Sequence, residues 1–287
     1  MEHIGEILRR QTQINTSRAN TDTWSGAEEP EEASPSSDCP ICKGAGFVHP
    51  LLSSGKPDYS RVVACRCTQQ KLDKERQSRL QQHSGLNLEL LRNMTFDNFD
   101  WKRVNLPPEQ RQNLEQAYRL ALDFAKSPEG WLVLIGVTGC GKTHLAAAIA
   151  NYRLKAGKPV KFEVVPDFLD HLRFTFSPES RGSYDQLFEE VKNTPLLILD
   201  DFGEQSTTPW AQEKLYQIIN YRYNAQLATV VTTRCSLDEI DSPISSRLAD
   251  PKISMLWNII VPDYRTDATS SRKKITRGGR RGRRSNH

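Results

Sequence analysis

Gly136-Val137-Thr138-Gly139-Cys140-Gly141-Lys142-Thr143 is the segment that most narrows what this chain can become. It fits the pattern G-x-x-x-x-G-K-[S/T], with the apolar run Trp131 to Ile135 before it and an Ala-rich, helix-compatible run after it. The pattern works at the joint between a strand and a helix, where backbone N–H groups and the helix N-terminus converge on a phosphate. In that role Lys142 reaches the terminal phosphates and Thr143 offers a hydroxyl to Mg²⁺. Gly136, Val137, Thr138, Gly139, Cys140, Gly141 and His144 line the nucleotide, with packing as the alternative for His144. The plainer alternative is an ordinary Gly-rich turn.

A second element stands 58 residues after Lys142, where the apolar run Leu196 to Leu199 ends in Asp200-Asp201. Carboxylates at the C-terminal end of a strand lie where open α/β sheets bind ligands. Asp200 is expected to hold Mg²⁺ and Asp201 to orient or activate the attacking water; a helix N-cap pair is the alternative. The pattern around these motifs predicts helices over 109–126, 142–156, 166–175, 183–192 and 209–224, with strands over 131–135, 160–164, 196–199 and 228–232. Short apolar strands separated by helices imply an α/β fold with a parallel sheet covered on both faces, three αβα layers.

Gly130 to Gly136 and Lys142 to Ala150 resemble the bacterial helicase loaders DnaC and DnaI and their transposition relative IstB. So, in the family's order, do Met94 to Phe99, Leu199 to Gly203, Leu215 to Tyr223, Val230 to Thr233 and Ser246-Arg247-Leu248. The resemblance implies an AAA+ P-loop NTPase domain over residues 86–266 that forms a homo-oligomer, with ATP on one subunit touched by the next. It implies that Arg247 is an arginine finger, that Thr232 or Thr233 senses the γ-phosphate, and that Arg265 is a second sensor. Many relatives end the sensor strand in Thr-Asn or Ser-Asn, where this chain has Thr233-Arg234. Most AAA+ proteins carry Glu at the position of Asp201, so the shorter side chain suggests slow hydrolysis, suited to a switch. The implied activity is an ATPase that binds DNA, single strands favoured, and delivers a replicative helicase. An IstB-like helper acting on duplex target DNA and a weakly hydrolysing ATP-sensing adaptor are the alternatives.

Four of the six cysteines fall in two pairs, Cys39/Cys42 and Cys65/Cys67, 22 residues apart. In a reducing compartment that spacing predicts a structural zinc site of four cysteines, because four thiolates close the tetrahedral sphere and staple a segment too small to bury a core. His49 or His83 is an alternative to one thiolate. Some helicase loaders resemble this arrangement, which implies that the module over 39–85, with its connecting helix, grips the helicase. Cys140 reads either as a redox switch or as a space-filler. Tyr221, Arg222 and Tyr223 read either as a base-stacking surface or as packing.

Outside these units, residues 1–20 have the pattern of a short amphipathic segment, too short to hold a helix alone. Residues 21–38 read as a disordered acidic linker. The net charge of +4 comes from the end of the chain: Arg272 to His287 holds eight Lys/Arg and no acid, and without them 31 basic face 35 acidic side chains. Residues 267–287 therefore read as a disordered basic tail, for a polyanion or for solubility. No run approaches the ~20 apolar residues of a membrane span, and a cytoplasmic protein is expected.

Overall fold

The computed structural model describes residues 39–175, 181–205 and 208–267. The amphipathic start, the acidic linker and the basic tail from residue 268 lie outside them. The chain divides into two compact units, with the boundary between Leu72 and Asp73.

The first unit holds a two-stranded antiparallel ribbon, β1 (Phe47–Val48) and β2 (Val63–Ala64), and the beginning of helix α1 (Arg66–His83). Its buried residues are chiefly Cys39, Cys42 and Cys65, with Val48 and Cys67 packed on them.

The second unit contains α2 (Glu89–Asn93), α3 (Pro108–Lys126), β3 (Trp131–Gly136), α4 (Lys142–Lys155), β4 (Lys161–Val164), α5 (Val165–Phe174), α6 (Arg181–Asn193) and β5 (Leu196–Asp200). Then follow α7 (Pro209–Asn224), β6 (Ala228–Thr233), α8 (Ser242–Leu248), β7 (Ser254–Ile259) and α9 (Tyr264–Asp267). The five strands pair in parallel in the order β4-β5-β6-β3-β7. Alternation sends Leu132, Leu134, Leu196, Ile198 and Val230 to one face, under α3 and α4. Trp131, Val133, Leu197, Leu199 and Val231 go to the other, under α5 to α8. Both faces are apolar because both are covered, which produces the three expected layers.

The fifth strand, β7, is not among those the sequence predicts. It is an edge strand with Met255 and Leu256 exposed, so its residues show neither a continuous apolar run nor a clean alternation. The short helices α2 and α8 also go unpredicted, being too brief to display a helical period.

Arg222 settles one ambiguity. Its side chain is fully buried and donates to Thr229 Oγ1 (2.9 Å) and to the carbonyls of Lys192 (3.0 Å), Thr194 (2.8 Å) and Ala228 (2.6 Å). Lys192 lies in the last turn of α6, so the helix's negative end offsets the buried charge in place of a carboxylate. Tyr223 packs edge-on against Trp131 and bonds Asp250, and Tyr221 donates to Asn193 Oδ1. The three residues knit α7 to its neighbours, and Arg222 is unavailable to nucleic acid.

Candidate functional site

The glycine-rich loop joins β3 to α4, with Gly141 as the N-cap in a left-handed conformation (φ 110°). A Cβ there would meet the Phe99 ring at 2.9 Å, so both the backbone angle and the close approach require glycine. Lys142 is only 6% exposed, and its Nζ donates to Gly136 O (2.7 Å) and Val137 O (3.0 Å) inside the loop. The ammonium is thereby held inside the loop. Cys140 is buried beside it, and burial pushes its thiol pKa up; an un-ionised thiol is a poor nucleophile, which supports the space-filling reading. His144 Nε2 lies 3.0 Å from both Thr95 O and Asn98 Oδ1, and its ring meets Phe99 edge-on. Burial lowers its pKa, so a neutral ring ties the lead-in segment to α4.

A cavity of about 610 Å³ opens over the loop. Leu90, Leu91, Met94 and Phe99 form an apolar wall suited to a base, while Thr138 to His144, Asp201, Glu204, Arg234 and Arg265 supply polar groups. Arg265 is brought there because the N–H of its neighbour Tyr264 donates to Gly139 O at 2.9 Å.

Asp200 and Thr232 emerge on the α4 face of the sheet. Thr232 Oγ1 donates to Asp200 Oδ1 (2.5 Å) and accepts from the Asp201 N–H (3.1 Å). Thr233, one residue on, points to the opposite face, where its Oγ1 accepts from the Cys235 N–H (3.0 Å). Of the two sensor candidates, Thr232 is therefore the one that reaches the carboxylate, because strand side chains alternate. The Thr143 hydroxyl also bonds Asp200. Desolvation by burial, only partly opposed by the Thr232 hydrogen bond, raises the Asp200 pKa from 3.8 to about 6. The ionised form is the disfavoured one in the fold, so the stability this group contributes is greatest when protonated and falls as pH rises from about 4 through about 6. A divalent cation takes the ionised form. Mg²⁺-dependent nucleotide binding should therefore weaken as pH drops below about 6, and Asp200→Asn should lack that step. Nucleotide titrations between pH 5 and 8, with and without Mg²⁺, measure it.

Arg247 does not line this cavity. On α8, its guanidinium donates to Asn220 Oδ1 (2.8 Å) and Pro243 O and lies over the rings of Tyr216 (5.2 Å) and Tyr223 (5.6 Å).

In the first unit, the Cys39, Cys42, Cys65 and Cys67 ligand atoms lie within 4.8 Å of one another, with Cys39 and Cys65 sulfurs 3.8 Å apart and Cys42 and Cys67 sulfurs 3.5 Å apart. Tetrahedral zinc with Zn–S near ~2.3 Å needs sulfurs about 3.8 Å apart, so the four thiols fit the ion. The backbone N–H groups of Cys42 and Ile41 point at the Cys39 sulfur and hold its thiol below the ordinary value. Among the described residues no histidine joins the cluster, and His49 Nδ1 is engaged with Arg61 O (2.9 Å).

A family model described as IstB-like ATP binding protein matches residues 58–255. The chain belongs to this family. Among relatives of this IstB-like protein, the replicative helicase loader DnaC of Escherichia coli (strain K12) is 28% identical over 186 residues, 63% of this chain and 72% of that one. DnaC of Buchnera aphidicola subsp. Acyrthosiphon pisum (strain APS) is 28% identical over 167 residues, 58% of this chain and 65% of that one. DnaI of Bacillus subtilis (strain 168) is 32% identical over 146 residues, 46% of this chain and 45% of that one. The chain thus spans less than two-thirds of the Buchnera DnaC and of DnaI. The crystal structure of the DnaC helicase loader superposes with a TM-score of 0.50 and 26% identity, over 60% of this chain and 99% of that one. That of DnaI has a TM-score of 0.50 at 22% identity, over 64% of this chain and 98% of that one, which establishes a shared fold. No helix among the described residues is long and apolar enough to cross a membrane.

Proposed function

We propose that this IstB-like protein is a slow ATPase switch that works in DNA replication as a helicase loader. The observation carrying the proposal is that Lys142, Thr143 and Asp201 line one cavity, with Asp200 bonded to Thr143, in a chain related to DnaC. In this reading Gly136 to His144 cradle the phosphates. Lys142 neutralises charge on the terminal phosphates, and Thr143 and Asp200 would hold Mg²⁺, which would supply Lewis-acid stabilisation of the phosphoryl oxygens. Asp201 orients the attacking water, and Arg265 contacts the nucleotide from α9. Arg247, turned away from its own cavity, serves the neighbour's ATP in a homo-oligomer, and its setting between Tyr216, Tyr223 and Asn220 fixes its direction.

The zinc module and connecting helix, residues 39–85, would grip the replicative helicase. The module leaves Ile41, Phe47, Leu51, Tyr59 and Val62 more than half exposed, a dense apolar surface for so few residues. The ATPase domain over 86–266 and the basic tail over 267–287 would bind DNA, and the whole would act in the cytoplasm. Steady-state turnover without DNA, with single strands and with duplex tests the DNA arm. Stimulation by single strands is expected. Stimulation by duplex alone would instead favour the transposition helper, and no turnover under any condition would favour an ATP-sensing adaptor.

A further inference from the structure

The parallel register pairs Ile135 with Thr233, so the next residue, Arg234, stands level with Gly136 at the start of the phosphate loop. Its guanidinium forms an ion pair with Glu204. Both residues line the same cavity as Lys142, Thr143 and Asp201.

The pairing is built by the turn after β5. Asp201 and Gly203 both take positive φ (53° and 95°), the Phe202 N–H donates to Thr232 O (2.9 Å), and the Glu204 N–H to Asp201 O (3.3 Å). Gly203 approaches so closely that a Cβ would meet Cys235 Sγ at 2.8 Å, and this contact brings Glu204 to the residue before Cys235. Glu204 Oε1 is buried without a hydrogen bond of good geometry, so charge is what holds the pair, and the arginine is the more exposed partner (60% against 22%).

We propose that Arg234 is a second γ-phosphate contact, beside Lys142, in this protein's own cavity, and that Glu204 holds its guanidinium until a nucleoside triphosphate arrives. This rests on the reading of the cavity as an ATP site. A guanidinium binds carboxylate and phosphate oxygens with the same planar fork, and a γ-phosphate carries more negative charge than one carboxylate, so ATP displaces Glu204 whereas ADP, lacking that group, does not. Because Glu204 and Asp201 share one hydrogen-bonded turn, the exchange reports the triphosphate to the carboxylate assigned to the water. The device thus discriminates ATP from ADP.

Affinities of the full-length protein for a non-hydrolysable ATP analogue and for ADP, both with Mg²⁺, test this in the wild type, Arg234→Ala, Arg234→Lys and Glu204→Gln. Arg234→Ala is expected to weaken the triphosphate analogue at least about tenfold and ADP less than about twofold, with Arg234→Lys partly restoring the difference. Glu204→Gln, nearly isosteric, should tighten the triphosphate several-fold and leave ADP unchanged. Equal losses for both nucleotides, or no loss for either, would overturn the proposal. If the wild type itself binds neither nucleotide, the ATP-site reading fails, and this inference fails with it.

Discussion

Replacing Lys142 by alanine is expected to weaken ATP binding by at least about 100-fold and to abolish turnover, while the fold survives. The ammonium donates two charge-assisted hydrogen bonds to loop carbonyls and is almost fully enclosed. Bonds of that type contribute about 1.5–3 kcal/mol each. When a phosphate enters, those donors are redirected to oxygens bearing full charge, so their loss costs more in the complex than in the empty loop. Isothermal titration with ATP measures the change, and thermal melting checks the fold. Near-wild-type affinity would remove Lys142 from the phosphate site.

Removing the metal from the first unit, or replacing Cys65 by serine, is expected to unfold residues 39–67 while leaving the ATPase domain's melting transition in place. Cysteine side chains dominate the buried interior there, and most of the module's large apolar side chains lie outside it. Structural zinc contributes on the order of 10 kcal/mol to a domain of this kind, far more than a two-residue β-ribbon supplies. Metal analysis should find one zinc per chain. Chelation should expose the module to protease at Lys43, Lys56 or Arg61. A module equally resistant with and without metal would contradict the assignment.

The positions of Lys142 and Thr143 at the strand-to-helix loop and of Asp200 at a strand end were legible in the sequence because each is a local pattern complete within a few residues. The sheet was legible for the same reason wherever burial on both faces made a strand uniformly apolar. Residues joined by register were less so: the sequence leaves Thr232 and Thr233 as alternatives, and the choice of Thr232 depends on how β6 lies beside β5. The Arg234–Glu204 pair likewise needs the close approach of Gly203 to Cys235, two residues far apart along the chain. Arg222 was ambiguous because an arginine between tyrosines reads the same whether it faces solvent or the end of a buried helix. Strand β7 escaped because Met255 and Leu256 are exposed and Asn258 interrupts the apolar residues, so it lacks the buried apolar run that marked the central strands.

As a helicase loader, this protein is expected to bind a replicative helicase through its N-terminal region. The most direct measurement is the affinity of the purified full-length protein, with ATP and Mg²⁺, for the replicative helicase of its own organism, beside that of a chain lacking residues 1–85. A stable complex with the full-length protein that is lost on deletion, although the shortened chain still binds ATP, is the predicted result. No complex at all, or an undiminished one with the shortened chain, would contradict it.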